Sequence, residues 1–293
     1  MENQIDLKEN IIEIGRRTNF RPDLIEKDYH LTKILHKLSE KKIHNLVFKG
    51  GTCLNKCYLG FYRLSEDLDF VYNQDVKGLS KGEVKKKLDE LRRIIFEILE
   101  NLGIETSKEL GVGWKMLTSK EKPNIVGLEI IASYKSVISE LSQKIKIEIS
   151  FRKKLINETK MRPIHHEFID SLGKPILEED IKIEAIDIVE NFAEKFRALI
   201  TRKNIAIRDV FDIYFILKEK KLKFDKEILK LALLKINESK PFEEKEFFSF
   251  IENLSSKADN LDKKEISTVL KKDQEINVSE MIDLIKKEVL SLK

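Results

Sequence analysis

Cysteine is scarce in this chain of 293 residues, which has two, Cys53 and Cys57. They lie four positions apart in a segment that reads as a helix, and this spacing suits one helix face better than a disulfide. We therefore expect two reduced thiols in the core.

Long apolar runs are also missing. No run approaches the roughly 18 residues of a membrane-spanning helix, and the start MENQIDLKEN lacks the basic and apolar parts of a signal peptide. Hydrophobic residues make up 41% and charged residues 36% of the chain, which is too apolar for disorder and too polar for a membrane protein. These features predict a soluble globular protein in the cytoplasm, with no membrane partner.

The chain has no large excess of charge of one sign. Its 55 basic and 51 acidic residues give a net charge of +4. This balance argues against a dedicated DNA-coating protein, and contact with nucleic acid would depend on a local basic cluster.

The patterns that are present divide the chain into a mixed part and a helical part. The first 45 residues show helical periodicity, followed by a strand and turn in LVFKGG, a short helix in TCLNKCYL and a strand in LSEDLDFVY. A long amphipathic helix ends at Gly103, and the segments 124–134 and 144–151 read as an antiparallel strand pair.

Helical patterns dominate after about Ile188, and the first of these helices opens with a capping-box-like Asp187-x-x-Glu190. We expect an α+β fold: a mixed β-sheet core with flanking helices in residues 1–180, then an α-helical C-terminal domain in residues 181–293.

The motif SEDLDF brings two carboxylates together. Strand alternation places Asp67 and Asp69 on one face, with Leu68 and Phe70 directed into the core. Close like charges repel unless a cation lies between them, and paired carboxylates with phosphate oxygens suit Mg²⁺. The alternative is an ordinary solvated strand face.

Glu148 extends this pattern. It alternates with Ile147 and Ile149, so a neighbouring strand can supply a third acid. Three acids on adjacent strands would suit a two-metal site for phosphoryl or nucleotidyl transfer.

The residues Gly50, Gly51 and Thr52 precede an apparent helix. Backbone without side chains lets N–H groups approach a phosphate at a helix start, and Thr52 is placed to cap the helix or contact the phosphate. A Gly-Gly pair also serves ordinary hairpins.

The order GGT, RLSEDLDF, IEISF and AEKFRALITRKNIAIRDVFDIY resembles the AbiEii/AbiGii toxin group of nucleotidyltransferases, related to the MenT toxins of the DNA polymerase β-like superfamily. The resemblance runs from about Ile25 to Leu217. It implies a mixed-sheet nucleotidyltransferase core, a helical C-terminal part, Mg²⁺-dependent transfer from a nucleoside triphosphate (NTP), and a toxin paired with an antitoxin.

The resemblance also implies roles for individual residues. Gly50 and Gly51 match its phosphate turn, and Asp67 and Asp69 match its metal-binding pair. The remaining matches are Lys195 in AEK, Asp209 in RD with Asp212 as a second candidate, Glu148 as a third ligand, and Lys27, Asp28 and Tyr29 in an amino-terminal motif.

Physical arguments support several of these roles and leave alternatives. Lys195 would project from mid-helix to neutralise triphosphate charge, and Arg202 shares roughly its face. The alternatives are an exposed base for either residue and a helix-capping role for Asp209.

Two residues flank the turn into the acidic strand. Arg63 would contact Asp67 or a phosphate, or brace the turn. Ser65 is expected to face the same side as Asp67, near the nucleotide. We hypothesise that phosphorylating Ser65 blocks the site by placing like charge beside the acids.

Together the sequence predicts a nucleotidyltransferase that uses Mg²⁺, or Mn²⁺ as an alternative ion, to move a nucleotide from an NTP to an RNA acceptor such as a tRNA end. Asp67, Asp69, Lys195 and Asp209 are the predicted catalytic residues, and Asp69 or Glu148 would accept the proton of the attacking hydroxyl. The alternatives are a catalytically silent nucleotide- or RNA-binding module and a kinase-like phosphotransferase.

Overall fold

The chain forms two compact units, Met1–Ile186 and Asp187–Lys293. The computed structural model describes residues 4–74, 79–118, 125–151, 154–219, 221–238, 240–258, 261 and 263–293.

The helices of the first unit begin and end at the signals that the sequence carries. They are α1 (Gln4–Thr18), α2 (Pro22–Lys41), α3 (Gly50–Cys53), which continues as a π-helical stretch (Leu54–Leu59), and α4 (Lys81–Asn101). Pro22 occupies the first turn of α2, where its missing N–H costs nothing. Ser80 and Glu83 form a capping box at the start of α4.

The strands of the first unit form one mixed sheet. They are β1 (Leu46–Lys49), β2 (Asp67–Tyr72), β3 (Glu105–Thr106), β4 (Trp114–Thr118), β5 (Ile125–Lys135), β6 (Ser142–Ser150), β7 (Lys160–Pro163) and β8 (Lys182–Ala185). Their order is β3-β5-β6-β2-β1-β8-β7, with β4 also paired to β5. Pairs β1–β8 and β2–β6 are parallel and the others antiparallel.

This architecture confirms the predicted α+β fold with a mixed sheet. The predicted antiparallel pair is β5 and β6; Asn124, the first residue of the predicted segment, lies outside the described residues. The strand in LSEDLDFVY begins at Asp67 and is therefore shorter than predicted. The sequence analysis did not identify β8, which pairs in parallel with β1.

Most core side chains of β2 and β6 lie on one face of the sheet, although the opposite face also holds the buried Val47 and Val71. Leu68 and Phe70 of β2 and Ile147 and Ile149 of β6 are buried on the first face with apolar side chains of α2 and α4. The residues that alternate with them on β2 and β6 point to the opposite face, which carries the charged side chains. The period-two pattern therefore separates most of the core from the candidate site.

The second unit is helical in its described part. Its helices are α5 (Ile188–Thr201), α6 (Ile207–Lys218), α7 (Lys226–Asn237), α8 (Glu244–Glu252), α9 (Leu254–Ala258), α10 (Lys263–Ser267) and α11 (Val278–Leu290). Phenylalanines pack against one another in its core, among them Phe192, Phe196, Phe224 and Phe247.

The start of α5 differs in part from the predicted capping box. Asp187 accepts a hydrogen bond from the backbone N–H of Val189, as a capping residue does. Glu190 is fully buried and forms an ion pair with the buried Lys235 of α7. Its carboxylate therefore joins two helices of the second unit.

None of the helices in the described part of the chain combines the length and the apolar character that a membrane span requires.

Candidate active site

Asp67 and Asp69 lie on the same face of β2. Both are half-buried, whereas Leu68 and Phe70, which alternate with them, are almost completely buried. The backbone conformation of a single strand thus brings the two carboxylates to one side of the sheet.

A row of charged residues crosses the sheet at the level of Asp69. Each member is the cross-strand partner of the next, from β4 through β5, β6 and β2 to β1: Lys115, Glu129, Glu148, Asp69 and Lys49. Like charges directly opposite one another destabilise a sheet, and a lysine stands at each end of these three acids. Glu148, the predicted third acid, is therefore the direct neighbour of Asp69.

Asp67 has a basic neighbour on the adjacent strand. Lys146 of β6 is its cross-strand partner, and Nζ of Lys146 lies 3.3 Å from Oδ2 of Asp67. Burial raises the pKa of Asp67, and the nearby Asp69 adds to this effect while Lys146 opposes it. Burial disfavours the charge of Lys146, yet Asp67, Asp69 and Glu148 together raise its pKa.

The glycine turn packs directly against the acids. Gly50 has φ +77°, and a Cβ at this position would lie 2.5 Å from Oδ2 of Asp69. The hydroxyl of Thr52 donates a hydrogen bond to the backbone carbonyl of Asp67. Only glycine fits this close approach, so the turn and the acid pair form one local structure.

Gly51 is equally close to the two residues that precede the acidic strand. A Cβ on Gly51 would lie 2.6 Å from Nη2 of Arg63 and 3.3 Å from Oγ of Ser65. Arg63 is buried, its Nη1 donates to the carbonyl of Leu64 at 2.9 Å, and its own carbonyl accepts from Asn55. These contacts correspond to the alternative role of Arg63, bracing the turn.

Another charged cluster, in the second unit, contains the predicted residues Lys195, Arg202, Asp209 and Asp212. Nζ of Lys195 lies 3.0 Å from Oδ1 of Asp209 and 2.7 Å from Oδ2 of Asp212. Lys195 is 11% exposed, so the alternative of an exposed base is wrong for this residue. Its ammonium is held by two acids of α6.

Two further expectations for this cluster are corrected. Helix α5 ends at Thr201, so Arg202 follows the helix in extended conformation rather than sharing a helix face with Lys195, and it pairs with Asp209. The N-cap of α6 is Ala206, and Asp209 lies in the first turn. Its carboxylate forms ion pairs with Lys195 and Arg202.

The sequence analysis missed Lys146, Glu129, Lys115 and Lys49 as neighbours of the acids. Lys146 carries a readable signal, because it precedes Glu148 by two residues in a strand and must share its face. The other neighbours depend on strand order and register, which no local pattern specifies.

A family model described as nucleotidyl transferase AbiEii toxin, type IV toxin–antitoxin system, matches residues 35–278. The chain belongs to this AbiEii family. The resemblance inferred from the sequence is confirmed, and so is the enzyme class: this AbiEii protein is a nucleotidyltransferase. Membership of a type IV toxin–antitoxin family implies a cognate antitoxin and an NTP substrate.

Solved structures of similar fold agree with this membership. The nucleotidyltransferase toxin MenT4 from Mycobacterium tuberculosis H37Rv has 18% identity and a TM-score of 0.60, covering 95% of this AbiEii chain and 88% of its own. A putative nucleotidyltransferase from Helicobacter pylori has 18% identity and a TM-score of 0.53, covering 94% and 99%. JHP933 from H. pylori has 17% identity and a TM-score of 0.51, covering 93% and 95%. No curated protein matches the chain.

Proposed function

We propose that this AbiEii protein transfers a nucleotide from an NTP to an RNA acceptor, such as a tRNA end, in a reaction that depends on Mg²⁺ or Mn²⁺. One observation carries the proposal: the Gly50–Gly51 turn packs against Asp69 on one side and Ser65 on the other. The backbone proposed to bind phosphate and the pair of acids are thus close to one another. NTP and RNA are both cytoplasmic, which favours the cytoplasm as the location.

The backbone at Gly50 and Gly51 would bind the triphosphate. It begins α3, where backbone N–H groups without intrahelical partners favour an anion. The absence of side chains at both positions leaves the approach to Asp69 and Ser65 open. Thr52 would hold the turn against β2 through its bond to Asp67.

The acids fit a divalent cation. In the part of the chain that the structure describes, no three His, Cys, Asp or Glu side chains are placed so that together they could hold a metal ion. However, Asp67 and Asp69 share a face, and burial raises the pKa of Asp67 with a further contribution from the nearby Asp69. We propose Asp67 and Asp69 as ligands with Glu148 as a third. A bound ion of this kind neutralises charge on the phosphates and on the departing pyrophosphate.

The acceptor hydroxyl would attack the α-phosphorus. A new oxygen–phosphorus bond forms, the bond to the bridging oxygen breaks, and pyrophosphate leaves. Asp69 and Glu148 are cross-strand partners, and we propose that one of them accepts the hydroxyl proton. Holding the reactants in position and neutralising their charge would supply most of the rate enhancement.

The roles proposed for residues of the second unit come from the family resemblance. We propose that Lys195 and Arg202 bind nucleotide charge and that Asp209 is required for activity. The ion pairs of Asp209 with both cations support a role in orienting them. Nucleotide affinity of Lys195→Met and Arg202→Gln would test these two roles separately.

The experiment that tests the proposed reaction follows the label. The protein is incubated with each α-labelled NTP, Mg²⁺ and total RNA, in parallel with Asp67→Ala and with Asp89→Ala, an acid of α4 paired with Arg92. We expect labelled RNA and released pyrophosphate with wild type and Asp89→Ala, and neither with Asp67→Ala.

The same experiment separates the alternatives. Transfer of label from γ-labelled NTP alone would indicate a phosphotransferase, and bound but untransferred NTP would indicate a silent binding module. Undiminished labelling by Asp67→Ala would contradict the role of the acid pair.

A further inference from the structure

Lys146 forms an ion pair inside the candidate site that the proposed reaction does not use. Its side chain is 34% exposed and that of Asp67 is 39% exposed, and the two atoms that pair are 3.3 Å apart. Both residues stand on the central parallel pair β2 and β6, so the strand register itself brings them together.

The surroundings of Lys146 are acidic. Asp69 and Glu148, cross-strand partners of each other, lie two residues further along the same two strands. In a parallel pair, residues two apart on one face are about 6.6 Å apart along the strand, within reach of a lysine side chain. The ammonium of Lys146 therefore lies beside the carboxylates proposed to bind the cation.

An ammonium and a divalent cation compete for the same carboxylate oxygens. The contact of Lys146 with Asp67 occupies an oxygen that the cation needs, and two positive charges at this distance repel each other. Once a cation is bound, the ammonium needs another anion, and the triphosphate brings several negative charges to this place.

We propose that Lys146 is an internal counter-cation that links cation binding to nucleotide binding. In the nucleotide-free protein it holds Asp67 and weakens cation binding. When NTP arrives, the ammonium exchanges Asp67 for a phosphate and the acid pair is released to the cation. This inference rests on the proposed function, because it requires Asp67 to be a cation ligand.

The size of the effect follows from the exposure of the pair. Half-exposed ion pairs contribute at most about 1 kcal/mol, so removing the lysine should tighten cation binding by about three- to fivefold. Linkage is reciprocal, so a nucleotide that draws Lys146 away from Asp67 must tighten cation binding, and the cation must tighten nucleotide binding equally.

Lys115 offers a matched control on the same face of the sheet. Its Nζ lies 2.7 Å from Oε1 of Glu129, so it too pairs with an acid of the charged row. It stands on β4, three strands from β2, about 14 Å away. At physiological salt this exceeds the screening length of roughly 8 Å. Replacing Lys115 removes the same charge without freeing Asp67.

The test measures Mn²⁺ binding by electron paramagnetic resonance, with and without an NTP analogue that carries a methylene bridge between the α- and β-phosphorus. The proteins are wild type, Lys146→Met, Lys146→Arg, Lys115→Met and Asp67→Asn. Without nucleotide, Lys146→Met should bind Mn²⁺ about three- to fivefold more tightly than wild type, whereas Lys146→Arg and Lys115→Met should resemble wild type.

With the analogue present, the gain in Mn²⁺ affinity should be about three- to fivefold larger in wild type than in Lys146→Met. Equal or weaker Mn²⁺ binding by Lys146→Met, or an equal gain in Lys115→Met, would overturn the inference and leave the proposed function standing. Unchanged Mn²⁺ binding by Asp67→Asn would overturn both the inference and the proposed function.

Thermal unfolding with EDTA and with Mn²⁺ checks that the variants fold. Lys146→Met should gain more stability from Mn²⁺ than wild type does.

Discussion

The backbone of Gly50 lies so close to the carboxylate of Asp69 that a Cβ on Gly50 would be 2.5 Å from Oδ2. This relationship joins the glycine turn, where we propose that phosphate binds, to the acid pair. A side chain added at Gly50 would therefore displace the carboxylate of Asp69.

Gly50→Ala should abolish NTP binding and transfer. The positive φ of +77° costs an alanine roughly 1–2 kcal/mol, and the added Cβ displaces Asp69. Gly82→Ala is the control. Gly82 is exposed in the first turn of α4 and its Cβ would meet nothing closer than 3.9 Å, so the change should alter stability by less than about 0.5 kcal/mol. Urea unfolding measures the stability of the two variants, and NTP titration measures their affinity. NTP binding of wild-type strength by Gly50→Ala would show that the close contact of Gly50 with Asp69 is not needed for nucleotide binding.

Ser65→Glu should weaken NTP binding by about tenfold or more because it adds negative charge beside Asp67 and the phosphate turn. The Oγ of Ser65 would lie 3.3 Å from a Cβ on Gly51, so the larger glutamate side chain would also reduce the space beside the glycine turn. Ser65→Ala, which removes the hydroxyl without adding charge, should bind within about threefold of wild type. Isothermal titration with an NTP analogue measures the three affinities, and unchanged affinity of the glutamate variant would exclude Ser65 from the nucleotide site.

Asp28→Asn should destabilise the protein by about 3 kcal/mol, because it weakens a buried ion pair. Nζ of Lys56 lies 2.9 Å from Oδ1 of Asp28 and 2.8 Å from the hydroxyl of Thr32, and both charged side chains are inaccessible. This pair fixes the helix after the glycine turn to α2. The double variant Lys56→Met/Asp28→Leu should lose less stability than the sum of the losses of the single variants Lys56→Met and Asp28→Leu. Additive losses in urea unfolding would mean that the two residues act independently.

Asp212→Asn should also destabilise the protein by about 3 kcal/mol, since Asp212 is fully buried against the ammonium of Lys195. Arg202→Gln provides the comparison, because Arg202 is 52% exposed in its pair with Asp209 and should cost less than about 1 kcal/mol. Denaturant unfolding of both variants measures the difference. Equal losses of unfolding free energy in the two variants would mean that burial does not increase the contribution of Asp212 to stability.

The protein should lose stability in acid partly through His30. Burial, with a smaller contribution from the charge of Lys33, lowers the pKa of His30 to about 3, and its ring packs on Tyr134 with centroids 3.9 Å apart. Because the folded-state pKa lies below the unfolded value, the unfolded chain binds an extra proton between about pH 6.5 and 3. The contribution of His30 to stability is therefore complete above pH 6.5 and falls by at most about 1.4 kcal/mol per pH unit below it.

His30→Gln removes this titration. Its unfolding free energy, measured at intervals from pH 7 to pH 4, should depend less steeply on pH than that of wild type. Parallel curves for the two proteins would place the acid sensitivity elsewhere.

The sequence was sufficient for features that depend on neighbours along the chain. The alternation of Asp67 and Asp69 with Leu68 and Phe70 specified one polar and one apolar face, because successive strand residues point to opposite sides. The glycine pair after a strand indicated the turn. Motif order was sufficient to identify the family, and the helical pattern after Ile188 predicted the helices of the second unit.

Tertiary structure alone decided which charged residues meet. Lys146 contacts Asp67, and Glu148 faces Asp69, because β6 pairs with β2 in one register across about 80 positions of chain. A shift of one residue would turn every side chain of β6 to the other face, and no short pattern encodes that choice. Lys195 illustrates the same limit: the sequence suggested a triphosphate-binding base, with an exposed helical base as the alternative, and neither predicted that the packing of α5 against α6 encloses it between Asp209 and Asp212.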